Sequence, residues 1–116
     1  RGAEEALKKL EELVTPDLIS YNALLGAYAK RPGNATLKAL SLLEKLEQAG
    51  SSSHPHLRPD SISYNSVIAS LAKSASADSA AKAESVLSHM LQIWEQSRDD
   101  QIKPSAVTFT SVIDAW

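Results

Sequence analysis

The sequence predicts an all-α chain built from stacked, antiparallel helix pairs. Three observations predict it. The chain aligns with itself three times, around Thr15-Pro16-Asp17-Leu18-Ile19-Ser20-Tyr21-Asn22, Arg58-Pro59-Asp60-Ser61-Ile62-Ser63-Tyr64-Asn65 and Lys103-Pro104-Ser105-Ala106-Val107-Thr108-Phe109-Thr110. The three prolines recur at intervals of 43 and 45 residues, and periods of about 20 to 50 residues signal stacked supersecondary units. Beyond each proline the apolar residues fall at i, i+3, i+4 and i+7, one stripe of an α-helix.

Residues 1–17 carry Ala6, Leu7, Leu10 and Leu13, the stripe of a second helix from a partial unit. The unit 18–60 opens with Tyr21, Leu24, Leu25 and Tyr28, and its second helix carries Ala39, Leu40, Leu43 and Leu46. The unit 61–105 repeats the plan with Tyr64, Val67, Ile68 and Leu71, then Ala83, Val86, Leu87 and Met90. Its second helix is expected to run on through Ile93 and Trp94. Residues 106–116 hold a further first helix, with Phe109, Val112, Ile113 and Trp116 in the stripe. Each proline disfavours helix in the residue before it, and Asp17, Asp60 and Ser105 follow as N-caps. Gly33-Asn34 and the Ser/Ala-rich stretch 74–79 read as turns within pairs. Segments 50–57 and 97–101 read as longer, mobile joins between units.

Composition excludes several function classes. Twelve Lys and Arg against fourteen Asp and Glu give a formal net charge of −2, which rules out a polybasic arm or a histone-like binder. There is no cysteine, hence no disulfide framework, thiolate metal site or cysteine nucleophile. No apolar run is long enough to span a membrane. At 116 residues the chain makes one domain or one piece of a larger one. It opens on a helical pattern at Arg1 and stops within an apolar-periodic run at Trp116, so it is expected to be an excerpt of a longer array.

The residues then become specific. Pro-Asp-x-Ile-Ser-Tyr-Asn, followed by Val or Leu, a Lys, and a helix that begins near Ala and carries Leu and Met, resembles the pentatricopeptide repeat. The resemblance covers nearly the whole chain. It implies helical hairpins of about 35 residues stacked into a right-handed α-solenoid that binds single-stranded RNA, one base per repeat. The units here are longer, and the excess falls in the turns, the joins and the second helix. The tetratricopeptide repeat is also a helix pair, but its Trp–Leu-Gly–Tyr pattern is absent.

The resemblance assigns roles unit by unit. Base reading falls to the fifth and last positions. These are Asn22 with Asp60, implying uracil, and Asn65 with Ser105, implying cytosine. Thr110 is fifth in the last, truncated unit and implies a purine; Asp17 closes the opening half-unit and leans towards uracil or guanine. The implied readout is 5′-[G/U]-U-C-[A/G]-3′. Ile19, Ile62 and Val107 stand at the second position, where side chains sandwich bases. Lys30 and Lys73 stand at the thirteenth and would face phosphates. Mitochondrial or chloroplast RNA processing, stability or translation is the setting the family implies.

Other readings of the same residues stand beside these. Tyr21, Tyr64 and Phe109 share the stripe of the leucines and read as core. Asn22 and Asn65, each taken alone, read as polar first-turn residues. Ile19 and Ile62 could pack only against neighbouring helices, and Lys30 and Lys73 also suit a helix C-terminus. His54-Pro55-His56 offers two imidazoles in a Ser-rich loop with no third ligand, so no metal or cofactor is expected. No nucleophile–base pair is recognisable, so no catalytic residue is assigned. The alternative function is a protein-interaction scaffold, since helical solenoids present concave surfaces to peptides as well.

Overall fold

The computed structural model describes residues 17–30, 34–52, 54–74 and 76–116. Among them all regular structure is helical: α1 (Leu18–Ala29), α2 (Asn34–Ser51), α3 (Ser61–Lys73), α4 (Ala77–Ser97) and α5 (Ala106–Ala115), with 3-10 turns at Pro55–Leu57 and Asp100–Ile102. The expected helix around Ala6, Leu7, Leu10 and Leu13 lies outside the described residues, as does Gly33.

The starts of the helices follow from their caps. The Asp17 carboxylate accepts from the Ser20 N–H at 2.9 Å and opens α1. Asp60 opens α3 reciprocally: its Oδ1 accepts from the Ser63 N–H at 3.1 Å, and its own N–H donates to Ser63 Oγ at 3.2 Å. This is a capping box with serine in the position usually held by Glu or Gln. At α5 the Ser105 N–H donates to Thr108 Oγ1 at 3.1 Å. Ser76 opens α4 by accepting from the Ser79 N–H at 3.1 Å. The end of α4 is set by Arg98, which stands at φ 53°, the left-handed conformation that commonly closes a helix.

The joins are more regular than their composition indicates. Helix α2 reaches Ser51 and α4 reaches Ser97, so helix claims the first residues of both segments expected as joins. Each join then makes one 3-10 turn that ends on a buried aliphatic residue, Leu57 or Ile102. Both residues insert into the common core and tie the join to the helices.

Helix α3 holds the centre and packs against α1, α2, α4 and α5. Its stripe of Tyr64, Val67, Ile68 and Leu71 is fully buried. Helix α1 lies on one flank of α3 and α5 on the other, while α2 bridges α1 and α3, and α4 bridges α3 and α5. Alanines ease these approaches: Ala39 on α2 and Ala83 on α4 are wholly buried. The chain measures 55 × 33 × 17 Å across its Cα atoms. The thin dimension fits two helix layers, whose axes pack about 8–10 Å apart.

A polar seam crosses the upper ends of α2 and α3. Thr36 Oγ1 lies 3.1 Å from both Ser70 Oγ and Ser74 Oγ. Thr36 and Ser70 are buried and satisfy each other, as buried polar groups must, while Ser74 is half-buried at the edge of the seam. The two flanking helices bury less of their stripes. Leu25 and Val112 are buried, but Leu24, Phe109, Ile113 and Trp116 are exposed. Among the described helices α1 and α5 each pack against two neighbours where α3 packs against four, and part of each stripe is exposed.

Candidate nucleic-acid interface

The residues at the start of α3 and α5 meet the asparagine of the helix two before, on α1 and α3. Asn22 on α1 reaches across to the start of α3. Its Nδ2 donates to Asp60 Oδ1 at 3.1 Å, and its Oδ1 accepts from Ser63 Oγ at 2.5 Å. The two contacts fix which way the amide faces, because Ser63 supplies a hydroxyl hydrogen and Asp60 only lone pairs. The next pair repeats the geometry with different chemistry. Thr108 Oγ1 donates to Asn65 Oδ1 at 2.6 Å. Ser105 takes the place of the aspartate, and its hydroxyl lies 3.4 Å from Thr108 Oγ1, longer than an ordinary hydroxyl hydrogen bond.

The valences left over differ between the two pairs. Two donors converge on Asp60 Oδ1, namely Ser63 N–H and Asn22 Nδ2; the Ser63 hydroxyl lies 3.1 Å away, its one hydrogen given to Asn22. Asp60 Oδ2 keeps its lone pairs, and one amide hydrogen of Asn22 remains. The first pair therefore offers an acceptor beside a donor. The second pair offers donors: both amide hydrogens of Asn65 and a weakly engaged Ser105 hydroxyl. Asn22, Asp60 and Asn65 are half-buried and Ser105 is exposed, so ligand atoms have access to all four.

Ser63 and Thr108 were absent from the residues singled out by sequence, yet they hold both asparagines. Ser63 is 0% and Thr108 1% exposed. Their signal is a hydroxyl three residues after each cap, at Ser20, Ser63 and Thr108.

The aliphatic residues assigned to base sandwiching stand in water. Ile19 is 78%, Ile62 57% and Val107 68% exposed, each in the first turn of its helix. They lie three residues from Asn22, Asn65 and Thr110 respectively, one helical turn away. Thr110 is exposed on α5, and Asp17 is exposed while capping α1. The backbone N–H of Ser20 holds the Asp17 carboxyl below the usual carboxylate range. Lys30, at the end of α1, and Lys73, the last residue of α3, are exposed. Each lies eight residues past its asparagine, about 12 Å along the helix. The structure does not bring them beside the asparagines.

Behind the caps the two joins enclose a cleft of about 450 Å³. Arg58, Asp60 and Tyr64 line one side, with Asp99 and Gln101 from the second join. Burial pushes the Tyr64 phenol well above its ordinary value, and the Glu47 carboxylate adds to the shift. Glu47 also pairs with His89 across α2 and α4 at 2.5 Å. The His54 and His56 rings stand 5.7 Å apart. Among the described residues no three His, Cys, Asp or Glu side chains gather as a metal site would require. No described helix is long and apolar enough to cross a membrane.

Compared with models of known protein families, with curated proteins and with solved structures, the chain finds no match.

Proposed function

We propose that the chain binds single-stranded RNA sequence-specifically, one base per helix pair, as a pentatricopeptide-type array. In this reading its antiparallel pairs stack into a right-handed α-solenoid. Asn22 with Asp60 reads uracil, and Asn65 with Ser105 reads cytosine, within 5′-[G/U]-U-C-[A/G]-3′. The single observation that carries the reading is the difference in open valences between the two pairs. Uracil carries a hydrogen on N3 and meets the free acceptor of Asp60. Cytosine has a bare N3 and meets the donors of Asn65 and Ser105. The exposed Ile19, Ile62 and Val107 supply apolar atoms for the base faces, at one per pair. Binding proceeds without catalysis by this chain, and organellar RNA processing, stability or translation is the setting it fits.

The test is an RNA selection on the chain at low salt, repeated with Asn65→Thr. Enrichment of U-C by the parent, with the cytosine replaced by a purine in the variant, is the expected result. The same motif from both proteins would remove Asn65 from the reading set. The protein-scaffold reading draws on one observation, the exposed Phe109, Ile113 and Trp116 on α5. Absence of any RNA enrichment would favour it.

A further inference from the structure

A second row of groups follows the readers at the same period. Arg58 and Lys103 stand two residues before Asp60 and Ser105, each followed by a proline. The backbone is extended at both, φ −61°, ψ 125° at Arg58 and φ −66°, ψ 125° at Lys103. Both follow a buried aliphatic anchor, Leu57 or Ile102, that seats the segment on the core. Both side chains are exposed. Two residues of extended chain span at most about 7 Å, so the backbone of each of these residues stands closer to that of its reading residue than the backbone of Lys30 or Lys73 stands to that of its asparagine.

Among the described residues neither charge meets a carboxylate in an ion pair. Asp60 lies two residues from Arg58 and lines the same cleft, yet the ion pair recorded among the described residues is His89–Glu47. Lys103 lies over the Trp94 ring, its Nζ 5.6 Å from the centroid, and the Arg98 guanidinium lies 4.8 Å from the same ring. The indole face holds the two cations without neutralising them. The second pair therefore carries an orientated cationic corner beside Ser105.

From this we infer that Arg58 and Lys103 form a phosphate-contacting row, one cation per nucleotide, running beside the base-reading residues. The inference rests on the RNA-binding reading above and extends it to residues outside the base-reading set. A single strand presents one phosphate per base, and the row presents one cation per reader, on segments anchored by Leu57 and Ile102. Contacts to phosphate set register and affinity but carry no sequence information.

The experiment is fluorescence anisotropy of a short U-C-containing RNA on the whole chain, from about 50 to 200 mM salt. Each phosphate contact on a single strand contributes about 0.7 to the slope of log K against log salt. Arg58→Gln and Lys103→Gln are each expected to reduce the slope by about 0.7 and to weaken all sequences alike. Lys103→Arg keeps the charge and is expected to restore the parent slope. Circular dichroism confirms that each variant remains helical. Parent-like slopes in both Gln variants would overturn the inference and leave base reading standing. Slopes that fall only in Lys30→Gln and Lys73→Gln would overturn it in favour of the other row. No binding by the parent chain at the lowest salt would overturn both readings together.

Discussion

Two glycines in helices give opposite answers to the same substitution. Gly26 lies in α1, and a methyl group there would meet nothing within 4 Å. Gly50 lies in the last turn of α2, and a Cβ there would fall 2.6 Å from Arg58 Cα and 2.9 Å from Arg58 N. Real Cβ atoms do not approach backbone so closely, and no rotamer relieves it because the obstacle is main chain. Helix propensity alone favours alanine over glycine by about 1 kcal/mol at either site. Gly26→Ala is therefore expected to stabilise the chain by up to about 1 kcal/mol. At Gly50 the gain is opposed by an overpacking cost near the upper end of its usual range, about 3 kcal/mol. The net expectation is a loss of about 2 kcal/mol.

A domain of this length has a total stability of about 6–17 kcal/mol, so the loss is measurable. Urea unfolding followed by circular dichroism at unchanged m-value is the assay. The midpoints of the two variants should move in opposite directions from the parent. A Gly50→Ala variant as stable as Gly26→Ala would refute the seating of Arg58 against α2. It would also weaken the case for Arg58 as an oriented cation, since that seat fixes where its side chain begins.

Leu43 is 3% exposed in the middle of α2, so Leu43→Ala is expected to cost about 2–5 kcal/mol in the same assay. A loss under about 1 kcal/mol would show that the α2 stripe faces elsewhere. Ile113 is 70% exposed, and Ile113→Ala should stay within about 0.5 kcal/mol of the parent. Asp17 supplies a pH dependence. Its carboxyl is lowered by the Ser20 N–H, so the folded state favours the ionised form. That contribution is present above the unfolded value and is lost as pH falls through the folded one. Asn caps a helix about as well as Asp, so in Asp17→Asn the acid titration of α1 helicity should flatten while helicity at neutral pH is kept.

Much of the helix plan was legible because it is local. The caps Asp17 and Asp60 and the stripe of α3 follow from residues within one or two turns of each other. Burial was not local. The stripe Tyr64, Val67, Ile68, Leu71 and the stripe Phe109, Val112, Ile113, Trp116 have identical spacing, yet one is buried and the other is mostly in water. Periodicity reports which face is apolar, and neighbours decide whether it is covered. The candidate site divides the same way. Asp60 against Ser105 is a difference of residue type, visible in the alignment, and the open valences follow from it. The hydroxyls that aim Asn22 and Asn65 come from 41 and 43 residues away, beyond the reach of any local rule. His89 and Glu47, 42 residues apart, meet for the same reason.

The segments 57–60 and 102–105 explain how units of unequal length can keep equal sites. Each begins with a buried aliphatic anchor, passes an exposed cation and a proline, and ends on the cap of the next helix. Helix α2 has 18 residues and α4 has 21, and the joins that follow differ in composition. Those differences all lie upstream of Leu57 and Ile102. Once the anchor enters the core, two residues lead to the cap, and the cap is tied to a buried hydroxyl at the third position of its helix. The hydroxyl in turn holds the asparagine of the helix two before. Asn22 thus keeps its contacts to Asp60 and Ser63, and Asn65 its contact to Thr108, whatever the length of chain between them. The joins can therefore differ in length and composition while the contacts of the two asparagines stay in place.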